Sequence, residues 1–322
     1  MNNNIQEIAA ELKSRNHYLL LGHAIPDGDC IGSILGLYQG LMAINKKVTM
    51  FIYDDIPSIY SYLSDIEKVS NNLPSGEKVE NIVFLDCSDQ NRINEGIFDR
   101  LPKNATIFNI DHHVSNNFFG DYNYVLPLAS ATAEIVYEFL VEMQIPINNV
   151  MANSLYAGIV MDTGNFKYNN TTAKTHHIAA ELIAKGANLE EARINLFESK
   201  PLTEVLLLGK ALQNLYLSED GKIAWILLSY NDINELGAKG LHPEGLINYT
   251  RMINGVEVGM IFREIEPNLI KIGFRSKRKI DVEAIAAELG GGGHKLSAGA
   301  KQEGNLNSVV EKVLQIVQKA VL

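Results

Sequence analysis

Four short segments of this 322-residue chain concentrate aspartate and histidine. His23, Asp27 and Asp29 lie in HAIPDGDCIGS, Asp86 closes NIVFLD, Asp111, His112 and His113 close ATIFNIDHH, and Asp162 sits in GIVMDTGNF. Aspartate is depleted in strands and costly to bury unpaired. Several acids at the inner ends of apolar runs therefore call for an external positive partner, and a divalent cation supplies one. Imidazole and carboxylate donors without thiolate suit Mn, Fe or Zn better than an all-oxygen Mg site. The donors suffice for two ions, and a pair about 3.5–4 Å apart would steady both the attacking and the leaving oxygen of a phosphoryl displacement. Each residue alone has an ordinary alternative. An Asp after a strand commonly caps a helix, as Asp29 could before IGSILG, and His113 could be a core histidine. Agreement among the four segments favours the metal reading.

The surrounding elements must bring these segments together. HYLLLGH reads as a buried strand, and IGSILGLYQGLMAIN has the 3.6-residue apolar spacing of a helix. VTMFIY, NIVFLD and ATIFNID are further strand-like runs, and strands alternating with helices predict a parallel sheet. In a doubly wound sheet the carboxyl ends of neighbouring strands open onto one crevice, where the four segments would converge. Helices are expected at 131–143, 149–161 and 172–186, with a charged helical connection near 187–210. Beyond it KIAWILLSY, VEVGMIFRE and LIKIGFRS alternate apolar and polar residues, with helical patterns at 281–288 and 305–321. The expected fold is α/β: an N-terminal parallel-sheet domain over 1–188 with helices on both faces, a helical linker over 189–212, and a smaller α+β domain over 213–322.

Composition narrows the function. The 28 basic against 38 acidic residues give a net charge of -10, which argues against coating duplex nucleic acid, so any phosphate must be held locally. No apolar run approaches the roughly 20 residues of a membrane span. The first residues, with Ile5, Ile8, Ala9 and Leu12 at helical spacing, read as an amphipathic helix rather than a secretory signal. Two cysteines in separate segments form no disulfide framework and fit a reducing, cytoplasmic setting. Cys30 and Cys87 each follow a motif aspartate, so thiolate ligation competes with use as small buried residues, and the latter is the expectation. Gly32 and Ser33 are expected to let a helix start close to an anion.

Local phosphate binders appear late in the chain. KIGFRSKRK, from Lys271 to Lys279, carries five cations and no acid, and GGGGH at 290–294 can bring backbone close to another backbone or a phosphate. Arg275 can grip phosphate through paired hydrogen bonds, with Ser276 beside it. A solvated strand face and a flexible turn are the ordinary alternatives. Arg263 is a further candidate, with an ion pair to Glu264 or Glu266 as its alternative.

The four Asp and His segments resemble, in order and approximate spacing, the motifs of the DHH phosphoesterase superfamily. SATAEIVYEF, INGVEVGMIFRE, IGFRSK and GGGGHKLSAG are similar to its oligoribonuclease and pAp (adenosine 3',5'-bisphosphate) phosphatase type, which ends in a DHH-associated domain, so the resemblance spans nearly the whole chain. It implies that His23, Asp27 and Asp86 hold one metal and that Asp29, Asp86, His112 and Asp162 hold the second, with Asp86 as bridge. His113 would act on the scissile phosphate. Asp111, which precedes the two histidines, is given a supporting role as a partner for a ligand imidazole, with a turn cap as its alternative. Arg275, Ser276, Gly291, Gly292, Gly293 and His294 would bind the nucleotide across an interdomain cleft, at a fixed distance that selects short substrates. The implied enzyme uses two Mn2+ ions to cut oligoribonucleotides of a few residues to mononucleotides and to release AMP from pAp. A homodimer without membrane or duplex binding is expected. A phosphodiesterase for cyclic or linear dinucleotides is the alternative; pyrophosphatase and a non-catalytic nucleotide sensor are more distant ones.

Overall fold

The computed structural model describes residues 2–75, 78–241 and 245–321. The chain divides into two compact units, Met1–Ser199 and Lys200–Leu322. In the first, Ile5–Ser14 (α1) precedes Tyr18–Leu21 (β1), Gly28–Ala43 (α2), Val48–Phe51 (β2), Val69–Ser70 (β3) and Asn81–Leu85 (β4). Ile97–Arg100 (α3), Thr106–Asp111 (β5) and Tyr122–Val125 (β6) follow, then helices Thr132–Glu142 (α4), Asn149–Asp162 (α5), Ala173–Ala184 (α6) and Leu189–Phe197 (α7). The six strands form one parallel sheet in the order β3-β2-β1-β4-β5-β6. The chain builds outward from β1 in one direction and from β4 in the other. The switch point, where such sheets place their ligands, therefore lies between those two strands.

Both faces of this sheet are buried, which is why its strands read as continuous apolar runs. Tyr18, Leu20, Val83, Leu85, Phe108 and Ile110 face the main helical layer. Leu19, Leu21, Phe51, Ile82 and Phe84 face the other side, where Ile93, Ile97 and Leu101 form a thinner cover. α2 is buried along nearly its whole length and packs on α5. A Cβ on Gly32 would stand 2.4 Å from the Ser154 carbonyl oxygen, so this glycine serves helix–helix approach rather than anion binding. β3 and β6, two and four residues long at the sheet edges, are too short and too polar to show in the periodicity.

The second unit comprises Leu202–Gln213 (α8), Leu215–Leu217 (β7), Ile223–Leu228 (β8), Tyr230–Glu235 (α9), Leu246–Met252 (α10), Val258–Glu266 (β9) and Leu269–Ser276 (β10). Val282–Glu288 (α11), Gly292–His294 (β11), Ser297–Glu303 (β12) and Leu306–Val321 (α12) complete it. Its mixed sheet has the order β11-β12-β10-β9-β8-β7, with only β8 and β9 parallel. Val258, Met260, Phe262, Ile270, Ile272 and Phe274 bury one face against α11 and α12. Ile226, Leu228 and Ile261 pack on the other face with α8 and α10 residues. The glycine run hides β11 from a propensity reading, since Gly disfavours strands. Among the described residues no helix is long and apolar enough to cross a membrane.

Candidate active site

The loop after β1, the residue after β4, the end of β5 and the end of α5 deliver the predicted acids and histidines to one place. His23 Nε2 lies 3.5 Å from Asp86 Oδ2 and 3.7 Å from Asp27 Oδ1. His112 Nε2 lies 3.5 Å from Asp86 Oδ1, 3.6 Å from Asp162 Oδ2 and 3.8 Å from Asp29 Oδ2. These separations are too long for good hydrogen bonds. They match donors gathered around a cation, because ligand atoms about 2.1 Å from one ion stand roughly 3–3.5 Å from each other. Ligand atoms of His23, Asp27 and Asp86 form one such group, and those of Asp29, His112 and Asp162 another. A third group joins Asp86, His112 and His113. Asp86 turns one oxygen toward His23 and the other toward His112, the disposition of a bridging carboxylate.

Local structure explains each placement. Asp27 is the N-cap of α2 and accepts the N–H groups of Asp29 and Cys30, both at 3.1 Å. The capping role considered for Asp29 thus belongs to Asp27. Asp29 is buried and accepts from Thr132 N at 2.6 Å, Ala133 N at 2.8 Å and Ser33 Oγ at 3.2 Å. Asp86 has φ 60°, a left-handed conformation uncommon outside glycine but open to aspartate. Such backbone persists where its surroundings hold it, and it clusters at functional sites. The following carbonyl, of Cys87, is held by Asn109 Nδ2 at 2.9 Å and Asn116 Nδ2 at 3.1 Å. Asp162 closes α5 rather than a strand, which corrects the expectation that all four segments follow strands. A helix carboxyl end disfavours a carboxylate, which adds to the charge that a cation there would offset.

The histidines are oriented by different partners. Asp111, fully buried, accepts from His113 Nδ1 at 2.7 Å and from Asn116 Nδ2 at 2.6 Å. Asp111 therefore supports His113 and not His112, whose Nδ1 faces the Ala129 carbonyl at 3.2 Å. The Asp111 hydrogen bond raises the basicity of His113 against the opposing effect of burial. Burial works against charge on His23, yet the adjacent Asp27 and Asp86 carboxylates outweigh it and push its pKa up to about 9. His112 is likewise pushed up to about 9, with Asp29, Asp86 and Asp162 outweighing burial. Burial, then the charges of Asp86 and Asp27, push Asp162 up to about 6 against the pull of His112. Burial raises Asp29 as well, with Asp86 adding to it. The cluster thus takes up protons wherever positive charge is lacking, which is the charge deficit that divalent metal would fill. Cys30 and Cys87 stand in the core with thiols pushed up by burial, and among the described residues neither belongs to a group of ligand atoms.

In the second unit, strand register sorts the predicted substrate binders. Gly292, Gly299 and Gly273 lie side by side across β11, β12 and β10. The neighbouring row on the same face is His294, Ser297 and Arg275. On the far side of the glycines Lys271 pairs with Lys301. The result is a glycine floor between two polar, basic rows. A Cβ on Gly291 would stand 2.1 Å from the Gly299 carbonyl oxygen, and one on Gly293 would stand 2.5 Å from that of Ser297. These two glycines let β11 close onto β12. Gly292 meets nothing within 4 Å and is the one of the three whose bare backbone faces open space.

Ser276 alternates with Arg275 and points into the core, 1% exposed with its hydroxyl unpartnered. The Arg275–Ser276 pair therefore does not present both side chains to one ligand, because consecutive strand residues face opposite sides. Arg263 makes neither suggested ion pair; its Nη2 donates to the Leu241 carbonyl at 2.8 Å. Sequence reasoning missed Thr132, Asn116, Asn170 and Ser297. Thr132 opens α4 within SATAEIV, and a Ser or Thr before an apolar helical run was the available signal.

The description "DHH family, N-terminal domain" matches residues 17–159, and "DHHA1 domain" matches 223–319. The chain is 31% identical to the bifunctional oligoribonuclease and PAP phosphatase NrnA of Thermus thermophilus, over 92% of this chain and 88% of that protein. It is 32% identical to the protein of the same name from Bacillus subtilis, over 88% of each. An exopolyphosphatase-related protein from Bacteroides fragilis superposes with a TM-score of 0.87 at 26% identity, over 98% of this chain and 96% of the other.

Proposed function

Because this chain belongs to the DHH family, we propose that it is a metal-dependent phosphoesterase that hydrolyses oligoribonucleotides of a few residues and removes the 3'-phosphate of pAp. The observation that carries this reading is Asp86, whose two oxygens face two separate sets of donors. His23, Asp27 and Asp86 would hold one divalent ion, and Asp29, Asp86, His112 and Asp162 the other. Two ions there, Mn2+ in our reading, supply an acidified water and charge stabilisation for phosphoryl transfer. His113 is oriented through Nδ1 by Asp111, so Nε2 is the ring nitrogen left to hold a proton toward a phosphoryl oxygen. Its raised basicity keeps that proton available. In the substrate-binding domain, over 213–322, Arg275, His294 and Ser297 would meet a phosphate while a base or sugar lies over Gly292. Ser276 is left out of direct contact in this reading.

The two relatives named as acting on oligoribonucleotides and PAP support the substrate class. We place the enzyme in the cytoplasm on its free, buried cysteines. A homodimer without stable duplex binding is part of the proposal, as is a helical link over 189–212. The test is one panel with Mn2+: pAp, a labelled RNA dimer, a 24-mer, a cyclic dinucleotide and pyrophosphate. AMP release from pAp together with dimer turnover is the expected result. Preference for the cyclic dinucleotide would select the alternative phosphodiesterase, and preference for pyrophosphate would end the reading.

A further inference from the structure

Thr132, the first residue of α4, touches two buried acids of the centre, Asp29 and Asp86. Its N–H donates to Asp29 Oδ2 at 2.6 Å, and its hydroxyl donates to Asp86 Oδ1 at 3.1 Å. The Ala133 N–H adds a 2.8 Å bond to the other oxygen of Asp29. α4 has no cap of its own, since its N-cap is Ala131 and no side chain there accepts a hydrogen bond. Asp29, 103 positions earlier in the chain, takes that part instead. One carboxylate therefore ends a helix and faces the metal-ligand cluster at once. Each of its oxygens has two lone pairs, so an N–H on one leaves the other for a cation.

The start of α4 is itself braced. Ser130 donates to Glu134 Oε2 through its N–H at 3.3 Å and its hydroxyl at 2.7 Å. The Ser130 carbonyl accepts from Asn170 Nδ2 at 2.9 Å, and the same amide reaches the Asp162 carbonyl at 3.1 Å. The turn that carries Thr132 is thus tied to the end of α5, which carries the third acid.

When both are ionised, as metal ligation requires, Asp29 and Asp86 are like charges that repel in a setting with little water to screen them. We propose that Thr132 is a positioning residue for the reaction: through its backbone and hydroxyl it holds these two carboxylates at the spacing a two-ion site needs, before any cation arrives. The inference rests on the metal-dependent reading above and adds a residue that contacts neither ion nor substrate in that reading. Groups that orient metal ligands typically change metal affinity or turnover by about 10- to 100-fold when removed.

The experiment compares Thr132→Val and Thr132→Ser with the native full-length chain. Each is stripped of metal, titrated with Mn2+ by calorimetry, and assayed on pAp. Valine keeps the shape and the N–H to Asp29 but removes the hydroxyl donor, whereas serine keeps both. The expected result is an Mn2+ affinity lowered by roughly 10-fold or more in the valine chain, with kcat down and KM little changed. The serine chain should return to within a few-fold of native. Thr132→Ala gives the same comparison where the valine chain does not fold. Native affinity and kcat in the valine chain, or a serine chain as impaired as the valine one, would overturn the role of Thr132 alone. A native chain that binds no Mn2+ would overturn the metal reading together with it.

Discussion

Asp29 lies buried beneath three donors and Asp86 sits between two histidines, whereas on the second unit's sheet His294 is exposed and Gly292 has open space in front of it. The first region holds like charges together inside a core, and helix ends, hydroxyls and amides fix their spacing in advance. The second carries the exposed Lys271 and Lys301 and the half-buried Arg275 on one strand face. Preorganised charge suits chemistry, since it needs no rearrangement at the reacting step. An open basic face suits recognition, since binding an anion there costs little desolvation. Substitutions in the two regions should therefore separate into effects on turnover and effects on binding.

The largest effect is expected at Asp86. Asp86→Asn should lower kcat on pAp by about 10³-fold or more, the upper scale for loss of one charge-stabilising group. Above pH 9, where His23 and His112 no longer carry the charge that Asp86 offsets, the same change should raise the melting temperature of the metal-stripped chain. Asparagine also accepts the left-handed backbone and the Thr132 hydroxyl while removing one of the clustered negative charges. Steady-state kinetics and calorimetry on one preparation check both halves. Near-native turnover would remove Asp86 from the bridge.

Arg275→Ala should act on the other side of the comparison. A hydrogen bond to a charged group contributes roughly 1.5–3 kcal/mol, so KM for pAp should rise about 10- to 100-fold with kcat nearly constant. A fall in kcat with unchanged KM would mean that the open face takes part in the reacting step.

Neighbouring glycines sharpen the division. Gly291→Ala presses a methyl group against the β12 backbone, and such overpacking costs roughly 1–3 kcal/mol, visible as a lower melting temperature. Gly292→Ala meets no protein atom, so it should leave melting unchanged and raise KM by a few-fold. Equal melting loss at both positions would make the whole run structural.

pH should produce the smallest effect. His23 and His112 are pushed up to about 9 in the fold, above the ordinary histidine value of 6.5. Groups with raised folded pKa stabilise the metal-stripped chain fully below pH 6.5, and that contribution fades as pH rises toward 9. Asp162, pushed up to about 6, contributes in the same sense between its ordinary 3.8 and 6. The stripped chain should thus melt lower at pH 9 than at pH 6.5. Mn2+ affinity should rise over that interval, because metal no longer has to displace protons from the imidazoles. Melting curves with and without Mn2+ at the two pH values read both trends.

Much of the first unit was legible because strands buried on both faces read as apolar runs and their acids stood at the ends. The four segments that hold His23, Asp27, Asp29, Asp86, Asp111, His112, His113 and Asp162 stood out because such residues are costly there unless something balances them, while the division into ligands and neighbours came from the family resemblance. What stayed hidden depends on tertiary contact. Asp111 serves His113 rather than His112, Asp27 rather than Asp29 caps α2, and Thr132 reaches residues far away in sequence. Ser276 sits beside Arg275 in sequence, but strand alternation turns it into the core. The run of four glycines could not reveal which members serve close backbone packing and which face outward, because that follows from the register of β11 on β12.

The most direct test is electron paramagnetic resonance of the metal-stripped full-length chain titrated with Mn2+. Two ions per chain, magnetically coupled as expected for a separation of about 3.5–4 Å, are predicted, with the coupling lost in Asp86→Ala. A single ion per chain, or two uncoupled ions whose signal is the same in Asp86→Ala, would contradict the account.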